Sequence, residues 1–381
     1  MRRDLRELGE NSRAVHLPPL QRAEAESASG FAAGLASLEG FRLSEPVEGE
    51  AFASGRAAVA AVLLAFAGAG AHVIAPATAH GGVHDLLARL GVETSFVPAG
   101  DPDAVRAALR PSTRLVWAET LADPALAVAD LPSLAEIAHD AGALLAVDST
   151  LTTPVVCRPL EHGADLVVHS SAAYLGGHGD ASGGAVAGPA GPMTEVRRAL
   201  DGIGAPLAPD ESSRLRRGLE TLPLRVRRQC DTASVFAASI AHHPAVRSVG
   251  YPGLPEHPGH GLARVLFDAG PEGTRFGAVV TVVPHGGADA GLALARAVRL
   301  AAPAASLGGT RTTAAHAAST THRRLDEAGL RSAGIDPGAV RFSLGLEDAD
   351  DLVRDVSDAL DTLGPAVPSP SPPASLVADP G

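Results

Sequence analysis

The chain has 381 residues and a mass of 38.4 kDa, which predicts two or three structural units and a large buried core. Acidic residues outnumber basic ones by 43 to 31, and the net charge of -12 argues against a nucleic-acid partner, whose binding site should be basic. The longest apolar run, residues 57–71, is shorter than the roughly 20 residues of a membrane span, so it predicts a buried helix and no membrane partner. The charged N-terminus lacks a secretory pattern, and we expect a cytoplasmic protein.

Short apolar runs alternate with helix-like stretches from the first predicted helix to about residue 225. The runs are apolar on both faces, which indicates a mostly parallel sheet covered by helices on each side. Strands are predicted at residues 71–75, 115–117, 143–147 and 165–168. Apolar residues at helical spacing over residues 131–142 predict a crossover helix that ends at a glycine.

The pattern changes beyond about Arg225 and predicts a smaller α+β unit. A strand is expected at residues 278–283 and helices at residues 288–300 and 348–363. The proline-rich stretch from residue 365 cannot donate backbone hydrogen bonds or bury a core, so we expect a disordered tail. The predicted organisation is an N-terminal arm (1–40), a large α/β domain (41–225), a smaller α+β domain (226–364) and a tail (365–381).

The chain contains no lysine, so all 31 of its basic side chains are arginines. Any mechanism that needs a side-chain primary amine is therefore excluded. A GC-rich genome would favour arginine over lysine and would explain most of this absence. The two cysteines, Cys157 and Cys230, cannot build a disulfide framework and are expected to be small buried residues.

Six segments carry a resemblance to a known family. They are Asp148-Ser-Thr150, residues 163–170 (GADLVVHS), 174–180 (YLGGHGD), 217–225 (RGLETLPLR), 306–309 (SLGG) and 341–347 (RFSLGLE). In this order they resemble the cystathionine synthase and lyase family of pyridoxal-phosphate-dependent trans-sulfuration enzymes, which includes methionine lyase. The resemblance implies a type I pyridoxal-phosphate fold, with the cofactor in the large domain and a shortened N-terminal arm.

The resemblance also implies the activity and the partners. The family eliminates or replaces groups at the β or γ carbon of a sulfur amino acid, so a small-molecule amino-acid substrate is expected. Homotetramers or homodimers are expected as well, with sites at the subunit interface.

Cofactor contacts are assigned by matching motifs. Asp148, after a predicted strand, corresponds to the acid that keeps the pyridine nitrogen protonated, and Thr150 belongs to the same motif. The alternative is that Asp148 caps the next segment or starts a turn. His80 occupies the place of a ring-stacking tyrosine, although a turn histidine is an alternative reading. Asp123 stands where the family has an asparagine near the ring hydroxyl, and an anion there would repel a phenolate.

The phosphate is expected at the start of a helix. Ser54, Gly55 and Arg56 match the family's Ser-Gly-Met motif, with Arg56 in place of methionine, while an ordinary N-cap is the alternative for Ser54. Ser170 corresponds to a second phosphate-binding serine. Arg22 takes the register of an arginine from the neighbouring subunit, and a solvated arginine is its alternative.

Two residues are assigned to the substrate. Arg341 matches the arginine that binds the α-carboxylate bidentately, and its alternative is a salt bridge with Glu347 or Asp348. Ser306 would line the same pocket or form a plain turn.

The motif departs from the family at the Schiff-base lysine. The family reads Thr-Lys where this chain has Ala172 and Ala173, and no lysine elsewhere replaces the lost amine. We therefore expect impaired or altered activity and a pyridoxal phosphate held without a covalent bond. The alternative is a non-catalytic pyridoxal-phosphate-binding pseudoenzyme or an inactive partner of an active paralogue. Whether Ala173 is engineered or natural stays open, and His80 or His178 is a hypothetical replacement base. We expect no metal site at His169, His178 and Asp180.

Overall fold

The computed structural model describes residues 28–79, 81–270 and 273–363. Its helices are α1 (Ala28–Glu39), α2 (Gly55–Phe66), α3 (Gly81–Leu90), α4 (Pro102–Ala108), α5 (Leu131–Asp140), α6 (Thr153–Val156), α7 (Ala190–Ile203), α8 (Pro209–Ile240), α9 (His260–Leu266), α10 (Gly287–Ala297), α11 (Glu327–Ser332) and α12 (Ala349–Asp361). Its strands are β1 (Val47–Phe52), β2 (His72–Pro76), β3 (Glu93–Val97), β4 (Thr113–Glu119), β5 (Leu144–Asp148), β6 (Leu166–Ser170), β7 (Gly184–Pro189), β8 (Val246–Gly250), β9 (Ala269–Gly270), β10 (Gly273–Thr274), β11 (Val279–Pro284), β12 (Ala302–Pro303), β13 (Thr313–His316) and β14 (Val340–Ser343). The predicted tail and most of the predicted arm lie outside the described residues.

A seven-stranded sheet forms the larger part of the fold, with strand order β1-β7-β6-β5-β4-β2-β3. Strands β2 to β6 pair in parallel, and β7 and β1 add antiparallel pairs at one edge. Helices α1, α5 and α8 contribute to the core on one face, and α2 and α7 contribute to the core on the other. The α/β fold expected from the sequence is confirmed, because strands buried on both faces need helices on both sides.

The predicted strands of this sheet are all present, and each differs from its predicted limits by no more than two residues. The crossover helix is α5, which the Asp130 side chain caps by accepting a hydrogen bond from the Ser133 N–H at 3.3 Å. The buried helix is α2, but it ends at Phe66 rather than extending to residue 71. Gly70 has a φ of +80°, which a continuing right-handed helix does not allow.

A second sheet has five strands in the order β12-β13-β14-β11-β8. It packs with α8, α10 and α12 around its own core, and the expected strand and helices near the C-terminus correspond to β11, α10 and α12. The sequence did not predict α8, a helix of 32 residues that contains Pro223 and packs against both α1 and α12. The predicted boundary at residue 225 falls inside α8, and the domain limits remain predictions.

One fully buried histidine lies between three strands of the large sheet. His72, the first residue of β2, has its Nδ1 atom 2.8 Å from Thr113 Oγ1 and its Nε2 atom 2.9 Å from Ser95 Oγ. Burial, and secondarily the positive charge of Arg110, lowers the pKa of His72 below its ordinary value. The folded protein therefore favours the neutral imidazole.

This histidine should make stability depend on pH. Between about pH 7.5 and about pH 5.5 the unfolded chain takes up a proton that folded His72 resists, so the free energy of unfolding should fall on acidification. Urea titrations followed by circular dichroism should show a smaller fall for His72→Gln. Burial also lowers the pKa of His84 and His257, so only part of the fall should disappear.

His242→Gln is the matched control, because His242 is exposed. If His72→Gln retained the full pH dependence of the unmodified chain, the assignment to His72 would be wrong.

Candidate functional site

A cavity of about 320 Å³ opens at the carboxyl ends of β4, β5 and β6. Ligands of open α/β sheets bind at this edge, because polar residues that follow buried parallel strands gather there. The start of α2 and the segment 305–307 form the opposite wall. Eight residues assigned from the sequence line this one cavity: Gly55, Arg56, Asp123, Asp148, Thr150, Ser170, Ala173 and Ser306.

Asp148 is the last residue of β5 and is half-buried at the cavity wall. The backbone N–H of Thr150 donates to Asp148 Oδ1 at 2.9 Å, so the turn role considered for Asp148 is present in the structure. Thr150 Oγ1 in turn accepts a hydrogen bond from the Ser170 N–H at 2.9 Å. These bonds link the ends of β5 and β6 and fix the carboxylate at the cavity.

The first turn of α2 approaches the end of β6 very closely. The Ser54 side chain caps α2 by accepting a hydrogen bond from the Ala57 N–H at 3.1 Å. The N-cap that the sequence offered as the alternative role of Ser54 is therefore present. A Cβ atom added at Gly55 would lie 2.9 Å from Ser170 Oγ, and one added at Gly184 would lie 2.3 Å from the Ser54 carbonyl oxygen. Backbone N–H groups, a serine hydroxyl and the exposed Arg56 thus surround a small space suited to an anion.

Ala173 lies in the turn that follows β6, beside Ala172, and both line the cavity. The buried Arg225 of α8 holds this turn, donating from Nη1 to the Tyr174 carbonyl at 2.8 Å and from Nη2 to the Leu175 carbonyl at 3.3 Å. Burial lowers the pKa of Arg225 to about 10. A Cβ atom at Gly177 would lie 2.0 Å from Arg225 Nη1, so the turn and the guanidinium fit only with glycine there.

Arg341, in β14, forms a buried ion pair with Asp123. Its Nη1 atom donates to Asp123 Oδ2 at 2.8 Å, and the two residues are 1% and 7% exposed. Its Nη2 atom donates to the carbonyl oxygens of Ala305 at 2.6 Å and Ser306 at 3.3 Å. From the sequence we considered Glu347 or Asp348 as an alternative partner of Arg341, and this alternative was wrong. Glu347 instead accepts from the Thr312 hydroxyl at 2.7 Å, because the turn after β14 carries it to the start of β13.

Sequence reasoning missed Glu119, the last residue of β4, which also lines the cavity. It pairs in register with Asp148 on the neighbouring strand, so two carboxylates stand side by side at the sheet edge. The signal was available, because Glu119 follows an apolar strand as Asp148 does. No motif drew attention to it.

The remaining candidates are Arg22, His80 and the residues considered for a metal site, His169, His178 and Asp180. Arg22 and His80 fall outside the described residues. His178 Nδ1 lies 2.8 Å from the Gly176 carbonyl oxygen, and the buried His169 lies 2.6 Å from Glu39 Oε1. Among residues 28–79, 81–270 and 273–363, no group of three His, Cys, Asp or Glu side chains could hold a metal ion.

The two cysteines are buried, as the sequence predicted. Burial raises the pKa of Cys230 to about 12 and the pKa of Cys157 well above its ordinary value. Neither thiol is therefore poised as a nucleophile.

Comparison with known proteins places this chain in a family. An L-methionine gamma-lyase from Porphyromonas gingivalis is 38% identical over 339 residues, which cover 86% of this chain and 82% of that protein. A crystal structure of cystathionine gamma synthase from Xanthomonas oryzae, in complex with aminoacrylate and cysteine, has a TM-score of 0.81 and 33% identity and covers 89% of this chain and 87% of that one. A Campylobacter jejuni structure that contains N'-pyridoxyl-lysine-5'-monophosphate has a TM-score of 0.81 and 27% identity, over 88% of this chain and 86% of that one.

The family resemblance seen in the sequence is thus confirmed, and so is the fold that it implied. Residues 28–361 match the description Cys/Met metabolism PLP-dependent enzyme, where PLP is pyridoxal phosphate, and this chain belongs to that family.

Proposed function

We propose that this chain binds pyridoxal phosphate in the cavity without a covalent bond, and that its elimination or replacement chemistry on sulfur amino acids is impaired. One observation carries the proposal: Ala173, which we assign to the position of the family's Schiff-base lysine, lines the cavity, and the chain contains no lysine at all. The polar surroundings of the cavity nevertheless suit the noncovalent contacts of the cofactor.

The fit to pyridoxal phosphate divides into two parts. The close space between Gly55 and Ser170, which a single Cβ atom would fill, suits a phosphate at the start of α2. The carboxylate of Asp148 suits a protonated pyridine nitrogen. Covalent attachment does not fit, because no side chain of the protein carries a primary amine.

Pyridoxal phosphate, when bound, supplies an electron sink that stabilises carbanions on an amino-acid substrate. In this proposal Asp148 keeps a proton on the ring nitrogen, Ser170 and the first turn of α2 bind the phosphate, and Arg56 contributes a positive charge. Ser54, Thr150 and Ser306 remain proposed contacts, as do Arg22 and His80 beyond the described residues.

The missing lysine removes more than an attachment point. In the family that amine also moves protons, and general acid–base help contributes about 10²- to 10⁴-fold to a rate. The cavity offers the carboxylates of Glu119, Asp123 and Asp148 in its place, and a carboxylate cannot act as a nucleophilic amine.

The second candidate is a non-catalytic pyridoxal-phosphate-binding pseudoenzyme, or an inactive partner of an active paralogue. The ion pair between Arg341 and Asp123 favours it, because the arginine proposed for the substrate carboxylate already holds a carboxylate. Neither candidate function depends on whether position 173 was altered deliberately or by natural divergence.

A homotetramer or homodimer and a cytoplasmic location complete the proposal. The support for the oligomer is the family resemblance alone. None of the helices in the described part of the chain is long and apolar enough to span a bilayer.

Restoring the amine should restore attachment. Ala173→Lys, incubated with pyridoxal phosphate, reduced with borohydride and then denatured, is expected to keep one pyridoxyl group by mass spectrometry. The unmodified chain should bind the cofactor in a calorimetric titration but lose it on dialysis. Elimination from methionine or cystathionine should be about 10²- to 10⁴-fold faster in Ala173→Lys.

Arg228→Lys is the control, because it places one lysine on the exposed side of α8. Turnover by the unmodified chain equal to that of Ala173→Lys would refute impairment. Failure of the unmodified chain to bind pyridoxal phosphate would refute the cofactor site.

A second variant tests the phosphate contact. Gly55→Ala places a methyl group 2.9 Å from Ser170 Oγ, and we expect the Kd for pyridoxal phosphate to rise by about tenfold or more. Gly68→Ala is the control, because a Cβ atom there meets nothing within 4 Å. Equal affinities for the two variants, with both folded by circular dichroism, would show that the phosphate does not bind at this turn.

A further inference from the structure

Both Nη atoms of the Arg341 guanidinium have hydrogen-bond partners inside the protein. Nη1 is bonded to Asp123, and Nη2 is bonded to two backbone carbonyl groups of the segment 305–307. Each partner of the ion pair also keeps one unused polar atom, because Asp123 Oδ1 and Arg341 Nε are buried without a hydrogen-bond partner in the described part of the chain. Because Nε is buried and both Nη atoms are bonded, an incoming anion could reach the guanidinium only by displacing one of these partners.

A ligand carboxylate would have to compete with Asp123 for Arg341. If it displaced Asp123, the aspartate would be left buried and unpaired beside a second carboxylate, which is strongly unfavourable. If it did not, the ligand carboxylate would lie beside the Asp123 carboxylate without a cation of its own, since Arg56, the arginine that lines the described part of the cavity, stands at the start of α2. In either case, the binding of a ligand carboxylate beside Asp123 is unfavourable.

The rest of the cavity wall has the same electrostatic preference. Glu119 and Asp148 line it together with Asp123, and Arg56 is the arginine among the described residues that line it. A ligand whose polar end carries no negative charge avoids the repulsion.

We propose that Asp123 is a specificity-determining residue that occupies Arg341 with an internal carboxylate, so that the site favours amines without an α-carboxylate over amino acids. This rests on the proposed function, because it assumes that the ligand sits on pyridoxal phosphate in this cavity. Asp123 thereby takes the place on Arg341 that the carboxylate of an incoming ligand would otherwise occupy.

Two stable ligands distinguish the specificity role of Asp123 from the binding of the cofactor. Phosphopyridoxyl-methionine and phosphopyridoxyl-3-(methylthio)propylamine are reduced conjugates that share the cofactor moiety and the thioether chain and differ only in the α-carboxylate. Their Kd values for the unmodified chain are measured by isothermal titration calorimetry. We expect the amine conjugate to bind about tenfold tighter or more, since a charge–charge contact is involved.

The variant Asp123→Asn removes the internal anion but keeps the size of the side chain. It should invert the preference, tightening the methionine conjugate by about tenfold and leaving the amine conjugate unchanged or weaker. Asp103→Asn is the matched control, because the Asp103 side chain is 93% exposed and does not line the cavity. Circular dichroism checks that each variant is folded.

The outcomes are distinct. If both conjugates bind the unmodified chain and the methionine conjugate binds as tightly or tighter, the specificity role of Asp123 is wrong while the cofactor site stands. If neither conjugate binds, the cofactor site and the inference built on it both fail. Should Asp123→Asn fail to fold, the comparison of the two conjugates on the unmodified chain still decides the question.

Discussion

The parallel strands β4, β5 and β6 are covered by helices on both faces, and this burial constrains everything else in the site. The buried faces of these strands carry mainly apolar side chains, and polar residues gather where the strands end. Glu119, Asp148 and Ser170 are the terminal residues of the three strands, and all three line the cavity. The position of the site is therefore a consequence of sheet burial.

The sequence predicted those parts of the molecule that depend on short-range patterns. The strand limits, the end of α5 near Gly142 and the placement of Asp148 follow from periodicity and from motifs a few residues long. The ion pair between Arg341 and Asp123 joins residues 218 positions apart, and the alternatives weighed from the sequence were the acidic residues nearest to Arg341. Helix α8 escaped prediction because its polar pattern and Pro223 do not resemble one continuous helix. Contacts between distant segments are set by packing, which a linear pattern does not record.

The turn that contains Ala173 is held in place by several contacts, although the chain has no lysine. Arg225 still bonds to the carbonyl groups of the turn, and Gly177 still leaves room for its guanidinium. The buried contact between His169 and Glu39 ties α1 to the strand that leads into this turn. A buried guanidinium with satisfied hydrogen bonds is costly to disturb, so the turn is held by contacts that do not involve residue 173. The backbone geometry of the turn is therefore supported independently of the side chain at position 173.

The only tryptophan of the chain, Trp117, is buried in β4 two residues before Glu119. Its indole is thus fixed in the strand that ends at the cavity, and no second indole adds background emission. A bound pyridoxal chromophore absorbs in the range where tryptophan emits, so resonance energy transfer would quench this emission. The fold therefore contains a built-in optical reporter of occupancy at the sheet edge.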